Sequence, residues 1–325
     1  MGDSAAGARR DLRQAYRQFA DTITATAESA GASWPLYIMP LYQQYAQDFL
    51  TQSRTELISL RNLVRPHEVE AWNNFTAAHY PQVLEEAHLL KFGNFDRLNP
   101  DPAKYTPYLW QRTKEGPIPD IERDYYFPTL TTSPPARDYS SFQWNLGSHP
   151  SYTAIVEAVL TLKNETLVTA VGPYAGPGKT FLVDEEHALM HDPLPEGETE
   201  HPHSFFFHPV RASIHDPDAE VVAMLGGGTA WDQGLRGLLP EGVSGILAVM
   251  YSSCGDLFTY EINGPKAVYL GMGDKHDPKY DYMVLDVDLA FHSHPDFAST
   301  PGHCQYGMVS LYYDQIFLFD LLRKN

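Results

Sequence analysis

Residues 220–288 read EVVAMLGGGTAWDQGLRGLLPEGVSGILAVMYSSCGDLFTYEINGPKAVYLGMGDKHDPKYDYMVLDVD, and they decide the fold. Three apolar runs within them, Gly245–Met250, Leu257–Ile262 and Ala267–Leu270, are short and bounded by Gly, Pro, Asn or Asp, as strands between turns are. Asn263-Gly264 supplies the positive φ values of a tight turn between the second and third runs. An antiparallel meander is therefore expected here. Val221–Leu225 is expected to be a strand, and Thr229–Leu239 a helix with Trp231, Leu235, Leu238 and Leu239 on one face. A helix laid across one side of a small antiparallel sheet is an α+β unit.

Upstream, the same strand, helix, strand rhythm is expected in Asp124–Thr132, His149–Leu162 and Leu167–Val171, with Tyr139–Leu146 as a short extended piece. Ser204–Ala212 returns as a strand through Phe205, Phe206 and Phe207, after a Gly-, Pro- and His-rich excursion over Gly172–His203. Near the N-terminus, Leu12, Ala15, Tyr16, Phe19 and Ile23 keep the three-and-four spacing of a one-sided helix that should end near Gly31. A second helix is expected from Pro40 to Leu63, and a third over Pro66–Lys91, bent or broken near Tyr80 by Pro81.

A chain of 325 residues suggests two domains, or one elongated domain with two lobes. With 43% hydrophobic residues it can bury a core. The 41 acidic against 23 basic residues, net −18, argue against nucleic acid or an anionic membrane surface as partner. No run reaches the ~20 apolar residues of a membrane helix; Met308–Leu322 comes nearest and is interrupted by Asp314 and Asp320. Arg9, Arg10, Asp11 and Arg13 stand where a signal peptide would have its apolar core, and Ala6 stands where a myristoylation signal needs Ser or Thr. Taken literally, the chain is expected to be soluble.

The motifs that could carry chemistry are incomplete. Gly172–Thr180 ends like a phosphate-binding loop, but Pro173 occupies the position of its first glycine and Pro177 removes a second backbone donor. His187, His191, His201 and His203, beside Asp184, Glu185 and Glu186, are the residue types zinc prefers, with little apolar anchoring to fix their geometry. His292 and His294 form a weaker pair, and Gly273–Asp277 holds an acid and a base with no identifiable nucleophile. No G-x-S-x-G elbow or HExxH helix is present. No catalytic residue, no metal and no cofactor is assigned. Asn74-Phe75-Thr76 and Asn164-Glu165-Thr166 are glycosylation sequons. Cys254 and Cys304 fit two buried thiols or one bridge.

The apolar strand, the Trp-bearing helix ending in LLPEG (238–242), the run GILAVMYSSCGDLFTYEING (245–264) and YLGMGDKHD (269–277) resemble the membrane-proximal half of CHASE-like extracellular sensory domains. The likeness is to the ectodomains of receptor-type guanylate or adenylate cyclases of unicellular algae. It extends upstream through SLRNLVRPHEVEAWNNF (59–75) and YYFPTLTTSPP (125–135). The resemblance implies an α+β chain with long N-terminal stalk helices (1–65), a membrane-distal PAS-like lobe (66–212) and a membrane-proximal PAS-like lobe (213–325), both with antiparallel sheets. It implies an extracellular place in a larger receptor, membrane spans outside this chain, a homodimer through the stalk helices, and a small-molecule ligand. By position, the ligand cavity would be lined by Phe127, Leu130, Thr132, Trp144, Asn145, Val168 and Thr169. The resembled ectodomains also fill both cysteine positions, which favours a Cys254–Cys304 bridge. Plant hormone-binding relatives grip an adenine-like ligand with a carboxylate on the first of these strands; between Pro128 and Ala136 this chain has none, which puts a cytokinin-type ligand in doubt. Two other classes stay open: a secreted metal-dependent hydrolase built on the His-rich stretch, and an interaction module with solidly packed lobes.

Overall fold

The computed structural model describes residues 2–99, 105–113, 116–136, 139, 141–163, 165–169, 202–237, 239–289 and 306–312. In chain order these form α1 (Gly2–Ser29), α2 (Tyr42–Ser53), β1 (Leu57–Asn62), α3 (Val69–Phe92) and a hairpin of β2 (Trp110–Thr113) and β3 (Gly116–Pro119). Then come β4 (Thr129–Ser133), α4 (Pro150–Thr161), β5 (Leu167–Val168), β6 (His203–Arg211), β7 (Val221–Ala230) and α5 (Trp231–Leu235). The last are β8 (Ile246–Ser252), β9 (Leu257–Asn263), β10 (Lys266–Met272), β11 (Val284–Leu289) and β12 (Tyr306–Tyr312). The strands make two five-stranded antiparallel sheets, β4-β1-β7-β6-β5 and β10-β9-β8-β12-β11. The fold class is α+β.

The first sheet is covered on both faces, which is why nearly every residue of β1, β4, β6 and β7 is buried, polar ones included. Side chains of successive strand residues point to opposite faces. Ile58 and Leu60 of β1, Phe206 and Val210 of β6, and Ala223 and Leu225 of β7 pack with Tyr16, Phe19 and Ile23 of α1 and Phe49 of α2. Leu57, Phe205, Phe207 and Met224 turn the other way, onto Tyr152, Ile155, Val156 and Val159 of α4 with Phe127 and Trp144. Pro209 is tolerated in β6 because its nitrogen points to the side where β5 has already ended, Leu167 pairing with Phe207. At the centre, Gly226, Gly227 and Gly228 bring the sheet close to its cover: a Cβ on Gly227 would lie 2.1 Å from the Tyr16 hydroxyl and 2.9 Å from the Leu57 carbonyl oxygen.

The inner face of the second sheet carries Ile246, Ala248, Met250, Phe258, Tyr260, Ile262, Tyr306 and Met308, which join the same core as α1 through Trp231 and Leu235 of α5. A buried polar node also links the two sheets. The Tyr306 hydroxyl sits 2.8 Å from Asp256 Oδ2, 3.0 Å from the Thr169 carbonyl oxygen and 3.1 Å from Ser204 Oγ, while Trp231 Nε1 donates to Ser204 Oγ. Burial, reinforced by the Asp256 carboxylate, raises the Tyr306 pKa, so the phenol stays neutral. Ser252 Oγ donates to the same Asp256 oxygen across the β8–β9 turn, and that turn contains Cys254, which is disulfide-bonded. Cys304, the sequence's other cysteine, lies outside the described residues.

Several local expectations are corrected. The second N-terminal helix stops at Ser53, where Arg54 turns to φ +56, and Leu57–Asn62 is a strand rather than the helix's last turns. Its apolar residues serve two faces and its hydrogen bonds go to β4 and β7, partners far away in sequence. The expected helix over 229–239 shrinks to α5, because Thr229 and Ala230 complete β7 opposite Ser204 and His203. The expected strand at 124–132 is confined to Thr129–Ser133. α3 runs through Pro81 without a break; Ala77, whose carbonyl loses its partner, faces solvent, where water can satisfy it. In the β9–β10 hairpin the two loop residues are Gly264 and Pro265, with Gly264 at φ +59, the φ pattern of a type II′ turn. Asn263 instead pairs with Lys266 as the last residue of β9. The first sheet draws on all three segments of the 1–65, 66–212 and 213–325 division, since β1, β4 to β6, and β7 fall in one each.

Candidate ligand cleft at the edge of the first sheet

β4 is an edge strand: one side pairs with β1, and beyond the other lies a small cleft between α2 and α3, with a cavity volume of about 20 Å³. α3 supplies one wall. Its buried residues Trp72, Thr76, Tyr80, Leu84 and His88 are spaced by four, a single stripe along the helix. The Trp72 end of that stripe is pinned by Gln143, held at φ +62: Trp72 Nε1 donates to Gln143 Oε1 (2.6 Å), and Gln143 Nε2 donates to Thr76 Oγ1 (2.6 Å) and Asn73 Oδ1 (3.2 Å). Tyr80 stacks on Phe142, centroids 3.7 Å apart. Tyr80 and Leu84, with the half-buried Ala87, line the cleft.

The opposite wall is β4 itself, with Thr129, Leu130, Thr131 and Thr132, and the rim is Pro135, Ala136 and Ser141. Behind the rim, His88 Nε2 is 2.7 Å from the Ala136 carbonyl oxygen and therefore carries the proton. Burial lowers the His88 pKa, so the ring is neutral and Nδ1, with no partner among the described residues, is an acceptor. α2 contributes Gln43, only 4% exposed. Gln43 Nε2 donates to the Thr132 carbonyl oxygen (2.6 Å), an acceptor-only partner that fixes the amide's orientation, and leaves Oε1 with no partner among the described residues. The Thr131 hydroxyl is likewise buried without a partner. Among the described residues no charged side chain lines the cleft; Arg137 and Asp138, next to its rim in sequence, lie outside them.

The cavity residues expected from sequence separate into groups. Leu130 and Thr132 line the cleft. Phe127 and Trp144 are packed in the core under α4. Asn145 organises backbone: its Oδ1 accepts from Phe127 N and Gly147 N, and its Nδ2 donates to Asp120 Oδ2. Val168 is in the α1 core, and Thr169 Oγ1 accepts from Phe205 N. Gln43, Tyr80, Leu84, Ala87 and Thr131 were missed. A signal for Gln43 was available: with Ala46 and Leu50 it lies on the buried stripe of α2, and an amide on such a stripe is the informative exception.

Of the histidines considered as metal ligands, His203 is buried at the start of β6 with Nε2 2.8 Å from Glu56 Oε2. His187, His191, His201, His292 and His294 lie outside the described residues, as do Asn164 and the Gly172–Thr180 loop. Among the described residues no group of His, Cys, Asp and Glu is placed to hold a metal ion. His276 of the 273–277 turn is held between the carboxylates of Asp274 and Asp281, whose hydrogen bonds, Asp274 first, raise its pKa. Asn74 is exposed on α3, and Thr76 of its sequon is buried.

No protein-family model matches the chain, and no curated protein matches it. Among the described residues no helix is long and apolar enough to cross a membrane.

Proposed function

We propose that this chain is a CHASE-like, non-enzymatic sensory domain on the extracellular side of a receptor of the cyclase or histidine-kinase type, binding a small molecule at the β4 edge. The observation that carries the reading is the small cleft between α2, α3 and β4, whose wall holds the buried Gln43 Oε1 without a partner among the described residues; at about 20 Å³ it would have to widen as a ligand enters. Small-molecule sites are concave, mostly apolar, and carry a few placed polar groups. In this reading α1 and α2 act as the stalk, the two sheets belong to PAS-like lobes, and two copies associate through the stalk.

A route for the signal is supported by the packing. Gln43 holds β4 through Thr132, one residue after Tyr42, whose hydroxyl donates to the Ile58 carbonyl oxygen of β1, and α2 packs along α1 through Phe49 against Tyr16 and Phe19. A ligand that wedges between α3 and β4 would bias the seating of α2, and with it α1. Such a shift requires different affinities for the two seatings. The test is a thermal-shift screen of the chain beside an Ala87→Leu variant, whose larger side chain fills the cleft from a half-buried helix position. Compounds that raise Tm only in the unfilled chain are expected. A broad library giving identical responses in both proteins would sink the reading.

A further inference from the structure

We infer that the connection from α1 into α2 is a self-association surface, in which Leu36, Leu41 and Tyr45 of two copies pack against one another about a two-fold axis. The inference rests on the pairing of two copies proposed above and is independent of the cleft. Leu36, Leu41 and Tyr45 are 37%, 44% and 40% exposed, and none of them joins an apolar cluster of the described residues. They form one patch. Leu41 and Tyr45 stand one turn apart, Tyr45 N donating to the Leu41 carbonyl oxygen (3.4 Å). The pKa of the Tyr37 phenol is raised by burial and then by Tyr45, which sets the turn carrying Leu36 beside them. That turn is fixed from behind: the buried Asn62 Nδ2 donates to the carbonyl oxygens of Pro35 (2.6 Å) and Tyr37 (2.9 Å), so Leu36 faces out with little left to order on contact.

Leu41 is a residue the local fold does not ask for. Its φ of +56 is the left-handed conformation that favours Gly or Asn, and it stands at the N-cap of α2, where its side chain accepts no hydrogen bond. Asn would suit both demands, so the leucine is explained by a contact outside the chain. Charge points to a second copy. Residues 29–47 contain no charged side chain, whereas the whole chain carries −18. Two such chains repel, and this stretch brings no carboxylate of its own to the contact, while a basic partner would be drawn to acidic surface instead. α1 offers no rival. From Leu12 onward its apolar stripe, including Tyr16, Phe19 and Ile23, is buried in the chain's own core, and it exposes Gln14, Arg17, Gln18 and Ala25.

The test is sedimentation velocity on the 325-residue chain over about a hundredfold range of concentration, at low and high salt. A concentration-dependent dimer is expected, and it should tighten as salt screens the repulsion between the two acidic chains. Leu41→Asn is expected to raise Tm, because Asn accepts this backbone better, and to weaken the dimer by about tenfold or more. Ile121→Asn, at an apolar residue exposed on the β3–β4 connection, should leave the dimer unchanged. A chain that stays monomeric throughout overturns both this inference and the pairing it rests on. A dimer that Leu41→Asn and Leu36→Asn leave intact, or one that weakens as salt rises, overturns the inference alone. Binding of a monomeric chain to phosphatidylcholine vesicles, abolished by Leu41→Asn, would assign the patch to lipid and overturn self-association as its role.

Discussion

Two single residues have consequences that can be measured apart from any ligand. Gly227 lies where the sheet meets α1, and Gly227→Ala would drive a methyl into the Tyr16 hydroxyl and the Leu57 carbonyl oxygen. Overpacking of this kind costs about 1–3 kcal/mol. Urea unfolding should show that loss, and Tyr16→Phe, which removes the nearer atom, should recover part of it in the double variant. His208 is fully enclosed between β6 and α1, hydrogen-bonded to Thr166, and its pKa falls to about 3 through burial first and then Arg17 and Arg211. Between pH 6.5 and 3 the unfolded chain takes up a proton that the folded chain refuses, so stability falls as pH falls through that window. From pH 7 to pH 5 the loss is about 2 kcal/mol from this ring, and a His208→Leu variant should have a flatter profile of urea midpoint against pH. Neither effect was legible in the sequence. The glycine triplet reads as a turn until β1 and β6 are seen to flank it, and HPV reads as an ordinary strand segment until α1 closes over it.

Elements were legible where local pattern and tertiary demand agree. β8 to β10 follow from short apolar runs between turn residues, and α1 and α4 from one-sided helical spacing. β1 was not legible, because Leu57–Asn62 follows a helix directly and the strands that hold it extended come much later in the chain. The cleft was half legible for the same reason: β4 was recognised as a wall, but α3's stripe and Gln43 meet it only after the chain has folded back. α3 itself depends on one buried amide. Gln143→Gly would relax the backbone at φ +62 while leaving Trp72 Nε1 without an acceptor, and a buried unsatisfied donor costs about 1–3 kcal/mol. Hydrogen exchange is expected to quicken in α3, with β6 and β7 unchanged; uniform quickening across all three would mean that α3 is not a separable unit.

At the scale of the molecule, the two sheets are joined by an apolar core through α5 and by the Tyr306 node. Tyr306→Phe keeps the ring and removes the hydroxyl, so the expected loss is about 1–3 kcal/mol, that of stranding buried polar partners. The variant should lose protection mainly in β12 and the β8–β9 turn, read by hydrogen exchange; unchanged protection there would show that the apolar contact alone couples the sheets. The order of strands has a further consequence, for synthesis. Ser59 of β1 bonds to Gly226 of β7 across 167 residues, so a chain growing from its N-terminus exposes α1, α2 and β1 long before the strand that closes their sheet has been translated. Until then those apolar faces stay open to wrong partners, and fragments ending anywhere between β1 and β7 should emerge as clients of chaperones rather than as smaller folded proteins.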